Sequence, residues 1–316
     1  MEFLHTLESI RSPFGDAFFV AATGCADEIL FLTLIMLLYW CIDKKLAYRM
    51  LFGYMFSALC VNILKLVFRI ERPWVRDPSL KPVEKALKGA TGYSFPSGHT
   101  QNAVAMYGTI AYNLSKSGTE ASHNGKHKNE NSSICEKWVI IPCVLIILLV
   151  LFSRMYLGVH TPEDVLVSLI LSSVIIIGLN IAADRITLDG KKRLVIAVFM
   201  LAVAAATLSY AIALYLGGYV EYAQIADVCK GCGAGFAFAI CWYVESVYIG
   251  FDEKAAPFWM QAVKFVIGAA GVLVVRNVIK SVFGSNPVSD TSRYFLMMLW
   301  AMLIMPLVIK KYFTKK

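Results

Sequence analysis

Charge is scarce in this chain. Only 16% of its 316 residues are charged, against ~25% in ordinary soluble domains, while 58% are hydrophobic and the mean hydropathy is positive. That balance excludes a soluble globule of this length, which has too little polar surface to cover so much apolar material. The signatures of nucleotide and metal chemistry are also missing. No Gly-rich nucleotide loop, Asp-x-Asp pair or His-Glu helix motif occurs, and no acidic cluster accompanies the basic residues. The net charge of +8 sits between hydrophobic runs and lacks interleaved aromatics, which excludes nucleic acid as a partner. Met1 to Phe14 carries Glu2, Glu8 and Arg11 but no basic start followed by an apolar core, so no cleavable signal peptide is expected. Eight cysteines are present, mostly single residues inside apolar runs, where a thiol acts as a small hydrophobe. Cys229 and Cys232 form the one local pair, fitting a disulfide or no bond better than a metal site.

The apolar residues group into runs of about 18 to 25, the length that spans ~30 Å of hydrocarbon at ~1.5 Å per residue. The expected fold class is therefore all-α, a polytopic membrane helical bundle of about nine transmembrane helices. The expected spans are about 17–41, 47–69, 98–114, 138–155, 163–183, 194–217, 233–250, 259–282 and 294–310. Residues 1–16 read as an interfacial helix with Phe3, Leu4, Leu7 and Ile10 on one face. Residues 17–185 hold the motif-bearing core, and 186–316 add further spans. The polar stretch 115–137 reads as a flexible loop, with His123 and His127 solvated there. Alternate loops carry Lys44, Lys45 and Arg49, then Lys116 to Lys137, then Arg185 to Arg193, then Lys254, then the basic tail. The positive-inside rule places these in the cytoplasm, with the N-terminus outside and the C-terminus inside. The compact loops favour a bacterial plasma membrane.

Three segments on the opposite, external side carry chemistry. Lys65 and Arg72 lie seven residues apart, about two helical turns, and Pro73 then stops the helix. Alone they also fit basic anchors at a membrane end. Pro96-Ser97-Gly98-His99 precedes an apolar run: Ser97 can cap a helix, Gly98 allows close approach to the backbone, and the helix start favours an anion beside His99. Ser153-Arg154 and His160 through Asp164 form the third segment, in which Thr161 caps a helix and Pro162 occupies its first position. Asp164 either closes a capping box or accepts a hydrogen bond from His160 and fixes its tautomer. Arg154 presents a fork suited to two phosphate oxygens. Eleven specified positions at roughly one in twenty each match by chance on the order of once in 10^14 trials, so joint occurrence outweighs each bland reading.

These segments, K-x6-RP at Lys65 to Pro73, PSGH at Pro96 to His99 and SR-x5-H-x3-D at Ser153 to Asp164, resemble the signature motifs of the type-2 phosphatidic acid phosphatase superfamily. The resemblance covers roughly residues 50–180 and no signature position departs from it. It implies an integral membrane phosphatase acting on a lipid phosphomonoester or diphosphate (phosphatidate-, sphingoid- or polyprenyl-type). His160 would be the nucleophile, Asp164 its orienting partner and His99 the acid and base. Lys65, Arg72, Ser97, Gly98 and Arg154 would bind phosphate. No cofactor or metal is implied, because three cations already supply the neutralising charge. A sugar phosphatase of the glucose-6-phosphatase type, a lipid phosphotransferase and an inactive lipid-binding protein are the alternatives. Oligomeric state stays open. Arg276 and Lys280, in the eighth span, either anchor at the interface or reach a second head group, and Glu245 and Lys264 are expected to pair.

Overall fold

The computed structural model describes residues 1–87, 89–123 and 130–313. Every regular element among them is helical. In chain order these are α1 Glu2–Ser9, α2 Pro13–Gly24, α3 Glu28–Leu37, α4 Lys44–Phe68, α5 Pro73–Arg76, α6 Glu84–Leu87, α7 Gly98–Ala103, α8 Thr109–His123 and α9 Glu130–Tyr156. There follow α10 Pro162–Arg185, α11 Gly190–Leu216, α12 Tyr222–Val244, α13 Phe258–Phe283, α14 Pro287–Leu299 and α15 Met305–Tyr312. A π-helical turn at Val104–Gly108 joins α7 to α8.

Eight helices among the described residues are long and apolar enough to cross a membrane, and the chain is an integral membrane protein. The third expected span, 98–114, is helical but is not one of the eight. Its composition explains why. Thr100, Gln101 and Thr109 are buried, and α7, α8 and the π turn pack against α9 and α10. A helix covered by its neighbours needs no apolar face toward lipid. The first span is broken at Cys25–Asp27, between α2 and α3. The seventh begins at Tyr222 rather than near 233, because α12 absorbs most of the expected loop. The stretch expected as a loop is helical over 115–123 and from 130 onward, so the loop reading is corrected there. His127, and the side chain of His123, lie outside the described residues.

The chain divides into two compact units. One comprises Met1–Leu32 with Arg49–Arg185, the other Thr33–Tyr48 with Ile186–Lys316. In the first, α2, α7 and α8 pack on α9, and α10 packs on α7, α8 and the π turn. One end of this unit is held by ions: Arg49 donates to Asp184 at 2.6 Å and Lys116 to the same carboxylate at 2.8 Å. The α1 helix is docked rather than merely interfacial, since Leu4 and Leu7 are buried while Phe3 and Ile10 stay exposed.

In the second unit, α12 packs closely between α11 and α14. A side chain at Gly233 would meet the Thr291 backbone oxygen at 2.1 Å, so only glycine permits that approach. Glu245 is buried, but its partner is Lys44 at 3.0 Å, with Tyr48 donating to its other oxygen. Lys264 instead donates to the Glu253 carbonyl at 2.8 Å, which corrects the expected Glu245–Lys264 pair. Lys44 stands at the start of α4, near in space though about two hundred residues away along the chain. Cys229 and Cys232 are buried free thiols on α12, and Arg276 and Lys280 are exposed on α13.

Candidate active site

The site is built in the first unit, where the C-terminal end of α4, the starts of α7 and α10 and the end of α9 meet. Lys65 lies in the last turn of α4. Arg69 then takes a left-handed backbone (φ 50°) and Arg72 an extended one, which ends the helix and caps α5. Both expected cations are buried, Lys65 and Arg72 alike. They fold the following loop as well as charging the site. Lys65 Nζ donates to the Tyr93 carbonyl at 3.1 Å. Arg72 donates from Nε to Gly92 at 3.0 Å, from Nη2 to Thr91 at 2.6 Å and from Nη1 to Val159 at 3.1 Å. Sequence reasoning foresaw the charges but not this use of their donors.

Ser97 caps α7 as expected, its Oγ accepting from the Thr100 amide at 3.4 Å. It also ties the second segment to the third, because its amide donates to the Asp164 carbonyl at 3.0 Å. Ser168 Oγ donates to the Ser97 carbonyl at 2.7 Å. A side chain built at Gly98 would meet nothing within 4 Å, so the helix start opens onto free space. His99, in the first turn of α7, has its Nε2 3.4 Å from an Asp27 carboxylate oxygen.

His160 sits between α9 and α10 and is 1% exposed. Its Nδ1 faces Asp164 Oδ2 at 3.3 Å, while Arg72 Nη1 lies 2.9 Å from Nε2. Arginine only donates. Nε2 is therefore the unprotonated nitrogen, and the proton resides on Nδ1, directed at Asp164. Asp164 combines both roles left open by its spacing. Its Oδ2 accepts from the Thr161 amide at 2.8 Å, as a capping carboxylate does, and faces His160. Ser94 Oγ donates to the same oxygen at 2.5 Å. The pKa of His160 lies well below its usual value, because burial disfavours the imidazolium and Arg72, Arg154, Lys65 and His99 add positive field. The ring is thus held neutral with a lone pair among cations.

Arg154 is the most telling group. It is 1% exposed, and its Nη1 donates to Thr23 Oγ1 at 3.0 Å. Its Nε and Nη2 are buried without a hydrogen-bond partner. Buried donors of this kind are normally satisfied, and leaving one unmade costs about 1–3 kcal/mol. Two on one guanidinium fit a site shaped for an anion that accepts both. The expected residues Lys65, Arg72, Ser97, Gly98, His99, Arg154, His160 and Asp164 therefore converge. Three neighbours were missed: Thr23 and Asp27, in and just after α2, and Ser94. Their only signal was polarity, Thr-Gly-Cys-Ala-Asp-Glu interrupting an apolar run and Ser94 standing two residues before Pro96.

Two family models match the chain: the PAP2 superfamily over residues 46–188, and the PAP2 superfamily phosphatase transmembrane extension over 229–316. The chain carries a PAP2 superfamily domain and a PAP2 transmembrane extension. All three motif segments fall inside the first match. Among relatives, phosphatidylglycerophosphatase B of Bacillus subtilis is 34% identical over 119 residues, covering 38% of this chain and 52% of that protein. Lipid phosphate phosphatase delta of Arabidopsis thaliana is 30% identical over 177 residues, 54% of this chain and 38% of that one. The chain thus spans about half or less of the length of these curated relatives. A crystal structure of a transmembrane PAP2-type phosphatidylglycerolphosphate phosphatase from Bacillus subtilis aligns with a TM-score of 0.45 at 26% identity. It covers 59% of this chain and 85% of that one.

Proposed function

We propose that this PAP2 protein is a membrane phosphatase that hydrolyses the phosphomonoester or diphosphate of a membrane lipid through a phosphohistidine on His160. The observation that carries this reading is Arg154, with two buried donors left open beside a neutral His160 lone pair. A phosphoryl group bound there accepts from Arg154 and draws on the positive charge of Lys65 and Arg72. The α7 amides around Gly98 add the anion-favouring end of a helix.

In the first step Arg72 Nη1 turns from His160 Nε2 to a phosphate oxygen, the freed Nε2 attacks phosphorus and the bond to the leaving oxygen breaks. Burial and the Arg154 charge lower the His99 pKa to about 4 in the empty site, so His99 takes up a proton as the phosphate dianion binds and donates it to that oxygen. The imidazolium formed on His160 keeps its Nδ1 proton against Asp164. In the second step His99, now unprotonated, takes a proton from water, the hydroxide adds to phosphorus, and the N–P bond breaks to release phosphate. Positioning and fixed charge supply most of the acceleration in such transfers, and three cations stand where a metal serves in other phosphatases.

A lipid substrate is favoured by what borders the site. Val67 and Phe68, two and three residues past Lys65, are exposed, and Phe68 packs edge-on against Phe95 beside the second motif. A tail can stay in hydrocarbon while its head group reaches the cations. The site also lies at the opposite end of α4 from Arg49 and its ion pairs with Asp184, which supports an external active site above a basic cytoplasmic end.

The test is phosphate release by purified protein in detergent with a chelator, comparing phosphatidate, phosphatidylglycerol phosphate and glucose 6-phosphate, with His160→Ala as control. Release from lipids that survives chelator and disappears in the variant is expected. A strict magnesium requirement would sink the assignment of roles, and release from glucose 6-phosphate alone would move the substrate to the sugar-phosphate class.

A further inference from the structure

The turn carrying His160 is tied to the end of α9 through its amides, those of residues 157 to 160 donating to the Ser153, Arg154 and Met155 carbonyls. Gly158 takes a left-handed backbone (φ +76°), and the carbonyls of residues 156, 157 and 159 accept from groups outside the turn. Each is held by a different part of the chain. Arg72 Nη1 donates to Val159 at 3.1 Å, and the Val83 amide donates to Leu157 at 3.1 Å. Arg11 Nε donates to Tyr156 at 2.8 Å. The Arg11 guanidinium lies close against Gly158, since a side chain there would come within 2.7 Å of its Nη2. Its Nη1 donates onward to the Lys81 carbonyl, joining the turn to the loop that also supplies Val83. The Ser12 amide donates to the Tyr156 hydroxyl at 3.2 Å. The ties continue into α1, where Glu8 accepts from the Lys81 amide at 3.1 Å and His5 meets Asp77 at 2.9 Å. His5, Glu8, Arg11 and Ser12 lie before residue 46, where the match to the PAP2 superfamily begins.

We infer that Arg11 is a positioning residue for His160: the N-terminal segment clamps the 156–160 turn and so sets where the nucleophilic nitrogen stands. The inference rests on the reading of His160 as nucleophile. Arg11 touches no reacting atom, so it acts through the turn alone. Misplacing a reacting group by about 1 Å can cost about 10²-fold in rate.

The experiment compares wild type, Arg11→Ala, Arg11→Lys, Tyr156→Phe and His160→Ala, measuring kcat/KM on a lipid phosphate and the inhibition constants of orthovanadate and inorganic phosphate. Vanadate can take five-coordinate geometry bonded to the nucleophile, so it reports where that nitrogen is; phosphate reports the cation cradle. For Arg11→Ala, kcat/KM should fall and the vanadate constant rise in parallel, by about 10- to 100-fold. The phosphate constant should stay within about twofold. Arg11→Lys, which keeps one donor near the same carbonyls, should recover much of the loss. Tyr156→Phe, which keeps the ring but loses the Ser12 tie, should move in the same direction by less. Loss of folded protein alone changes neither inhibition constant. If Arg11→Ala cannot be purified folded, Tyr156→Phe decides by the same criterion. Wild-type values in the deciding variant, or an equal rise of both constants, overturn the inference. Full activity in His160→Ala overturns the nucleophile reading itself, and the clamp with it, whatever the Arg11 variants do.

Discussion

Arg154→Met separates function from stability more sharply than any other change in the site. The substitution keeps the unbranched apolar stem, ends it short of the guanidinium and removes the charge. Wild-type Arg154 buries Nε and Nη2 without partners, and each such donor costs about 1–3 kcal/mol. Removing both favours the folded variant by about 2–6 kcal/mol. Against this stand the lost bond from Nη1 to Thr23 Oγ1, about 1.5–3 kcal/mol for a charged donor, and a repacking term of up to about 1.5 kcal/mol. The terms nearly cancel, so Arg154→Met should melt close to wild type or above it.

Catalysis should behave differently. One preorganised donor to a developing oxyanion is worth about 10²–10³ in rate. Losing two should lower kcat/KM by at least about 10³-fold. Ligand linkage supplies a second readout. Inorganic phosphate at about 100 times its dissociation constant stabilises wild type by about 2.7 kcal/mol, and the corresponding thermal shift should vanish in the variant. The assay is phosphate release alongside melting with and without phosphate, in one detergent. A variant that melts far below wild type yet keeps kcat/KM within tenfold would refute the reasoning, because Arg154 would then be a structural cation with hidden partners.

Three further outcomes follow from the same geometry. His99→Ala should lower kcat/KM, which reports the first transfer, by about 10²–10⁴-fold for an alkyl phosphate and far less for p-nitrophenyl phosphate, since nitrophenolate leaves without an acid; equal losses of kcat/KM on both would remove His99 from the general-acid role. His160 has a pKa well below its usual 6.5 in the fold, so the unfolded chain binds more protons once pH falls through about 6.5. Stability from this residue is therefore full above that pH and lost below it, and melting curves from pH 7.5 to 5 should fall less steeply in His160→Gln than in wild type. Ser94→Ala removes one hydrogen bond to the Asp164 carboxylate, about 1.5 kcal/mol, and should lower kcat by about tenfold with KM kept.

What was legible in the sequence was local. Ser97 caps α7 and Thr161 and Asp164 close the start of α10 because capping depends on neighbours three residues away. Lys65 and Arg72 were readable as a pair of nearby cations, but the expected continuous helix is corrected: α4 ends at Phe68, and a left-handed Arg69 and an extended Arg72 set their relation instead. The partners that complete the site were not legible, because each comes from a distant part of the chain. Thr23 reaches Arg154 and Asp27 reaches His99 from the break in the first span, which hydropathy reads as one continuous helix. The polar third helix was judged by the lipid it was expected to face, whereas its surroundings are protein. Glu245 was assigned a partner from adjacent spans, yet the nearer cation in space was Lys44, from the opposite end of the sequence.

The distribution of donors explains why three cations can share one buried site. Like charges so close repel, and in a poorly solvated interior that repulsion is large. Two of the three are neutralised in part by carbonyl dipoles. Lys65 and Arg72 donate to residues 91–93, so the loop before the second motif is folded around the first motif's charges. Arg72 then reaches Val159 and His160, so the same guanidinium sets the loop, the turn and the lone pair of the nucleophile. Of these three cations, Arg154 is the one with buried donors left open, and its one bond goes to a neutral hydroxyl. Lys65 and Arg72 are thus stabilised by the fold, while Arg154 is left for the ligand. The arrangement keeps the apo protein stable and still presents a strong anion site. The turn after α4 makes this sharing possible: the left-handed backbone at Arg69 and the extended one at Arg72 bring the second cation back to the loop that Lys65 holds.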